Sequence, residues 1–164
     1  MRTGIALGSN AGDRMAHFAF ARSGVESLGI GPFLTSRVYE TEAVDCAPGT
    51  PAFLNAVMEM DYREDLLELL ASLQKIEVAA GRPAIHRRNV PRTLDLDILY
   101  SGDRILHHEL LKVPHPQMHH RRFVLQPLAD IRPGLVLPRQ RESVESLLAK
   151  IPLQPQVCLY AECF

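Results

Sequence analysis

Read as a pattern of apolar and polar positions, the chain opens with a short apolar run, "GIALGSN" (4–10), that stops at Gly8-Ser9-Asn10. From Asp13 onward Phe18, Ala21, Val25 and Leu28 recur at spacings of three and four, so a strand, a polar turn and a helix are predicted. "FLTSRVYET" (33–41) predicts a second strand, "EAVDCAPGTPA" a long loop rich in turn residues, and "FLNAVMEMDY" (53–62) a third strand. The strongest helix follows: apolar residues at 66, 69, 70, 73, 76 and 80, acids in the first turn, and Gly81 as a stop. After a basic, twice Pro-broken loop, "RPAIHRRNVPR", comes the strand "TLDLDILYSG". The order is βαββαβ, which predicts an α+β, ferredoxin-like sandwich: an antiparallel sheet with helices on one face. C-terminal additions follow: a small hairpin or edge strand over 104–113, a helix within "HPQMHHRRFVLQPLADI", and a short helix at "ESVESLLAKI". "PLQPQVCLYAECF" is Pro-broken and carries no clear pattern. No repeat or linker divides the chain, so one domain over 1–164 is expected, with its core at about 1–151 and a tail at 152–164.

Composition narrows the function classes. With 164 residues, 46% hydrophobic and 23% charged, the chain can bury a proper core. A net charge of −1 argues against a protein built to coat nucleic acid or an anionic membrane. Three cysteines, Cys46, Cys158 and Cys163, cannot make a complete disulfide framework. No signal-peptide pattern or membrane-length apolar run is present, so a cytoplasmic protein without nucleic-acid or membrane partners is expected, as a monomer.

Chemistry enters at "PRTLDLDILY". Positions two apart share a strand face, so Leu94, Leu96, Ile98 and Tyr100 are predicted on one side and Asp95 and Asp97 on the other. The two carboxylates would then lie about 7 Å apart at Cβ, a spacing that suits shared Mg²⁺ and equally suits a solvated edge strand. Positive charge flanks the pair: Arg82, His86, Arg87, Arg88 and Arg92 upstream, His115, His119, His120, Arg121 and Arg122 downstream. Acids between arginines fit metal-assisted phosphoryl transfer, while the same loop arginines equally fit solvated positions or direct pairing with the acids. On the strong helix Glu77 falls inside the apolar stripe and Gln74 borders it, so Glu77 needs a buried partner: a ligand, the Arg-rich loop or a backbone amide. His115, set between two prolines, is held in place by its backbone. The remaining histidines lack metal-ligand spacing, and "LGSNAGD" lacks a P-loop lysine, so Gly8-Ser9-Asn10 reads as helix-capping chemistry.

Taken in order, "IALGSN", "VYETEAV", "FLNAV", "LQKIE…GR", "PRTLDLDIL", "VPHPQM" and "RRFVLQPL" resemble the 6-hydroxymethyl-7,8-dihydropterin pyrophosphokinase family over roughly residues 4–137. The resemblance implies a ferredoxin-like fold and transfer of a diphosphate from ATP to a pterin alcohol in folate biosynthesis, with release of AMP. It implies two Mg²⁺ ions on Asp95 and Asp97, with Arg82 and Arg92 joining those aspartates as catalytic residues. ATP contacts are implied at Gln74, Glu77, Arg82, Arg92, Ile98, His115 and Arg121. Pterin contacts are implied at Ala43, Phe53, Asn55, Asp95 and Phe123, where an amide and an aromatic face suit a flat heterocycle. Loops at 43–51 and 82–92 would close over the site. The chain departs from the family pattern at Ala84, Asn89 and Val90, and has no Trp to cover the pterin. Two alternatives stay open: a relative that binds a pterin or nucleotide with altered chemistry, and a ferredoxin-like nucleic-acid-binding module.

Overall fold

The computed structural model describes residues 1–43, 49–82 and 92–164. Most of the two loops expected to close over the site, with Ala84, Asn89 and Val90, lies outside the described residues.

The elements in chain order are β1 (Arg2–Ser9), α1 (Arg14–Leu28), β2 (Ile30–Thr35), β3 (Val38–Thr41), β4 (Phe53–Asp61), α2 (Leu66–Ala79), β5 (Asp95–Ser101), β6 (Leu106–His107), β7 (Lys112–Val113), α3 (Arg122–Ile131), α4 (Val144–Lys150) and β8 (Val157–Ala161). A single 3₁₀ turn, Met118–His120, precedes α3. The main sheet runs β5-β1-β4-β3-β8, with β2 also on β4, and every pairing is antiparallel. The short hairpin of β6 and β7 falls where the 104–113 segment was expected to add one.

Helices α1 and α2 cover one face of the sheet. Phe18 and Val25 from α1 and Leu69 and Leu73 from α2 pack on Ile5, Leu7, Leu54, Met58, Leu96 and Ile98, all essentially buried. Each helix begins where its sequence says it should. Asp13 accepts from Ala16 N at 3.0 Å and Asp65 accepts from Leu67 N at 2.7 Å and Glu68 N at 3.3 Å. Asp65→Ala is expected to cost about 1 kcal/mol, lowering the melting temperature by about 2–4 °C in a thermal scan.

The C-terminal additions α3 and α4 build a second core on the opposite face, where Val124, Leu125, Leu128 and Val144 pack on Val57, Leu99 and Tyr100. Asp130 of α3 fastens that layer to β3, accepting from Arg37 Nη2 at 2.6 Å and from Tyr39 Oη at 2.9 Å. The Pro-broken tail ends in β8, which pairs with β3, and the Phe164 ring meets Phe18 edge-on at 5.4 Å.

Two strand expectations are corrected. The segment 33–41 is two strands, because Ser36 interrupts the ladder: its N–H donates to Val57 O at 2.9 Å while its hydroxyl, in place of a carbonyl, accepts from Val57 N at 2.9 Å. Tyr100 does not share a face with Leu94, Leu96 and Ile98. Ile5 pairs with Ile98 but Gly4 pairs with Tyr100, so Leu99 is an extra residue and the alternation slips there. Tyr100 then lies directly on Gly4, where a Cβ would come 2.3 Å from the ring.

Among the described residues, no helix is long and apolar enough to cross a membrane.

Candidate active site

Helix α3 covers only part of its face of the sheet. The uncovered part, above the ends of β1, β4 and β5, floors a cleft of about 590 Å³. Phe53, Asn55, Arg92, Asp95, Asp97, His115, Arg121 and Phe123 all line it, so one cavity collects eight of the residues singled out from sequence.

Asp95 is the most heavily bonded of these. Its Oδ1 accepts from Arg82 Nη1 at 2.6 Å and its Oδ2 from Arg92 Nη1 at 2.5 Å. Arg92 is itself held by the turn after β1: Asn10 Oδ1 accepts from Arg92 N at 2.7 Å and Asn10 N donates to Arg92 O at 3.0 Å. Asn10 therefore fastens the strand's entry rather than capping α1, whose cap is Asp13, and the helix-capping reading of Gly8-Ser9-Asn10 is corrected.

Asp97 differs. It is open to the cleft and accepts no hydrogen bond among the described residues. Enclosure by the cleft walls pushes its carboxyl up to about 6, the charge of Asp95 adds to the rise, and Arg121, Arg92 and Arg82 oppose it. Two carboxylates on one face, one of them with free lone pairs, form a hard oxygen donor set that fits Mg²⁺, which fills its remaining positions with water or phosphate.

His115 and Arg121 complete the charged end. His115 N donates to Leu99 O at 2.7 Å, which anchors its loop to β5. Burial, then the Arg121 charge, holds its ring below the ordinary histidine range, which disfavours the charged form. At the other end the Asn55 amide, 7% exposed, donates to Thr41 Oγ1 at 3.2 Å. Phe53 and Phe123 line the cleft with it, and the Arg121 guanidinium sits 5.7 Å from the Phe123 ring centre.

Glu77 and Arg82 lie just outside the cleft and reach it through Asp95. Glu77 accepts from Leu96 N at 2.7 Å and forms a very close pair with Arg82 Nη1. Its inward position is thus met by a backbone amide and an arginine together. Burial pushes its carboxyl up to about 7 even though the Leu96 N–H and Arg82 pull it down. Gln74 is exposed on α2, the Ile98 side chain is buried beneath α1 and α2, and Ala43 does not line the cleft. The Ile98 main chain is another matter. Leu96 N points away from β1 toward Glu77, and two residues on, Ile98 presents its peptide groups to the same open edge of the sheet.

The family model for 7,8-dihydro-6-hydroxymethylpterin-pyrophosphokinase (HPPK) matches residues 4–133. The chain belongs to this family. A pyrophosphokinase relative, the 2-amino-4-hydroxy-6-hydroxymethyldihydropteridine pyrophosphokinase of Pseudomonas aeruginosa, is 40% identical over 154 residues, covering 93% of each chain. The folic acid synthesis protein fol1 of Pneumocystis carinii is 38% identical over 147 residues, covering 90% of this chain and 20% of that protein. The chain therefore spans about a fifth of the length of the fol1 proteins it matches. Among solved structures, wild-type Plasmodium falciparum HPPK-DHPS with pteroate superimposes with a TM-score of 0.69 at 15% identity, covering 91% of this chain and 42% of that one. That likeness shows the HPPK ferredoxin-like fold.

Several residues of the HPPK cleft are missed or read otherwise from sequence. Asn10 reads there as a helix cap, although an Asn beside a strand end is equally a ready backbone anchor. Leu99 is reachable, since plain alternation puts it on the face of Asp95 and Asp97; Thr41 and the segment from Ile151 to Pro155 carry no local signal and reach the cleft through the β3–β8 pairing and the chain path after α4.

Proposed function

We propose that this HPPK-family protein transfers diphosphate from ATP to the hydroxymethyl group of 6-hydroxymethyl-7,8-dihydropterin and releases AMP. One observation carries the reading: a single cleft has paired acids among cationic side chains at one end and an amide with two phenylalanines at the other. A polyanion suits the first end and a flat heterocycle with donor and acceptor edges suits the second.

In this reading Asp95 and Asp97 hold two Mg²⁺ ions, which would neutralise the triphosphate and polarise the transferred group. Arg82, Arg92 and Arg121 surround the phosphates and offset charge on the transferred group and on the leaving α-phosphate, and His115 offers its ring Nε2–H to a phosphate oxygen. The nucleoside runs toward the open edge of β5, where the Ile98 main chain, Gln74 and Glu77 lie. Asn55 reads the polar edge of the pterin, Phe53 and Phe123 flank its ring, and Asp95 faces its hydroxymethyl end. Holding the acceptor oxygen in line with the β-phosphorus supplies much of the remaining acceleration. The protein acts as one domain on two small molecules.

The test is direct. Protein mixed with ATP, Mg²⁺ and the dihydropterin alcohol is expected to yield AMP and a pterin diphosphate. ADP, or no product although both ligands bind, would overturn the reading.

A further inference from the structure

After α4 the chain crosses one end of the cleft before entering β8. Ile151, Pro152, Gln154 and Pro155 line the cleft from this strap. The strap also borders a second cavity of about 350 Å³, lined by Arg122, Leu153, Gln154, Gln156 and Val157. A strip of chain that borders two cavities and is exposed at 152–154 and 156 has little packing to fix its position.

One side chain supplies what packing does not. Arg122 Nε donates to Pro152 O at 3.1 Å, and its Nη2 donates to Leu148 O and Ile151 O, both at 3.1 Å. Among the described residues, these are the hydrogen bonds that tie the strap down between the end of α4 and the first ladder contact at Val157. Fanning over three carbonyls at a helix C-terminus suits a planar guanidinium, and a lysine ammonium cannot reproduce it. Adjacent arginines thus divide their work. Arg121 faces Phe123 and Asp97, while Arg122, which also lines the cleft, gives its guanidinium donors to main-chain oxygens and to Gln126 Oε1 at 3.4 Å.

The strap borders the amide-and-aromatic end of the cleft. Val157, where the strap joins β8, pairs with Thr41, whose hydroxyl accepts from Asn55. Asp97 lies on β5, three strand spacings from β3 and thus about 14 Å away across the sheet. The strap can therefore shape the acceptor end without touching the charged end.

We infer that Arg122 is a positioning residue for the acceptor: by holding the strap as a wall of the cleft, it sets affinity for the pterin and leaves phosphate chemistry unchanged. The inference rests on the proposed function. It is tested with Arg122→Ala and Arg122→Lys in the full chain, by fluorescence titration with the dihydropterin alcohol and by steady-state kinetics in both substrates. Arg122→Ala is expected to weaken pterin binding and raise the pterin KM by about tenfold, since the ligand must then order the strap. The ATP KM and kcat should stay within about twofold, and Arg122→Lys should recover only part of the loss. Pro155→Gly, which loosens the strap and leaves Arg122 intact, should show the same pterin-selective loss and serves if Arg122→Ala does not fold. Unchanged pterin affinity in both Arg122→Ala and Pro155→Gly, or equal losses in the ATP KM and kcat, would overturn the inference alone. A wild-type protein that binds no pterin would overturn the functional reading and this inference with it.

Discussion

Asp97→Ala is expected to lower kcat on the order of 10³-fold while moving the melting temperature by no more than about 3 °C. The two halves of that expectation come from the same observation. Asp97 opens to the cleft and accepts no hydrogen bond among the described residues, so the fold loses little when its carboxylate goes. The residue is even a burden when empty: enclosure and its neighbour Asp95 push its carboxyl up to about 6, which means that the ionised form is disfavoured there. A carboxylate kept at that cost, with lone pairs free, is what a divalent cation and a polyphosphate would need. Asp95 makes the contrast. Because it ties Arg82 and Arg92 together, Asp95→Ala should lose both turnover and stability, and comparing the two variants separates ligand role from scaffold role. Turnover of Asp97→Ala at saturating Mg²⁺ that matches the unaltered protein would remove the metal-ligand assignment.

The division between what the sequence foretells and what it hides follows physical lines. Periodicity within one element is a local signal, and it correctly set Asp95 beside Asp97 on one strand face and Glu77 inside the apolar stripe of α2. Anything that depends on a neighbouring strand was hidden. Tyr100 changes face because Leu99 is an extra residue opposite the Gly4–Ile5 step, and nothing in "LDILYS" announces a bulge. The 33–41 run splits because the Ser36 hydroxyl substitutes for a carbonyl toward Val57, a long-range event that a polar residue in a strand does not declare. Charge behaves likewise. "HHRR" reads as one basic cluster, yet of two arginines that both line the cleft, Arg121 lies over the Phe123 ring while Arg122 gives its donors to main-chain oxygens at the end of α4. Residues 152–164 gave the weakest signal, and their strand exists through pairing with β3.

Glu59→Gln is the largest expected loss of stability, about 3 kcal/mol or roughly 6–12 °C in melting temperature. Glu59 is 1% exposed in the middle of the sheet. It accepts from Arg2 Nε at 2.6 Å and from Arg132 Nη2 at 2.6 Å, and closely from the buried Tyr100 hydroxyl. This carboxylate holds together the first strand, the end of α3 and the ring that fills the space left by Gly4. The loss sits at the lower end for a broken buried ion pair because both arginines reach solvent and can be rehydrated. Tyr100→Phe, which removes one donor and leaves the charges paired, should cost less, about 1.5–3 kcal/mol. The pH dependence has a definite sign. Burial alone would raise the Glu59 carboxyl, but hydrogen bonds from Arg132, Tyr100 and Arg2 outweigh it and hold the group below its ordinary range. The unfolded chain therefore binds this proton more readily than the folded one as pH falls, so the contribution is present at neutral pH and lost on acidification. Melting temperatures of the unaltered protein and Glu59→Gln should differ most above about pH 5 and converge as the pH falls below the ordinary carboxyl range and Glu59 protonates. A difference that stays constant from pH 7 to pH 3 would show that Glu59 acts through its shape alone, with no contribution from its charge.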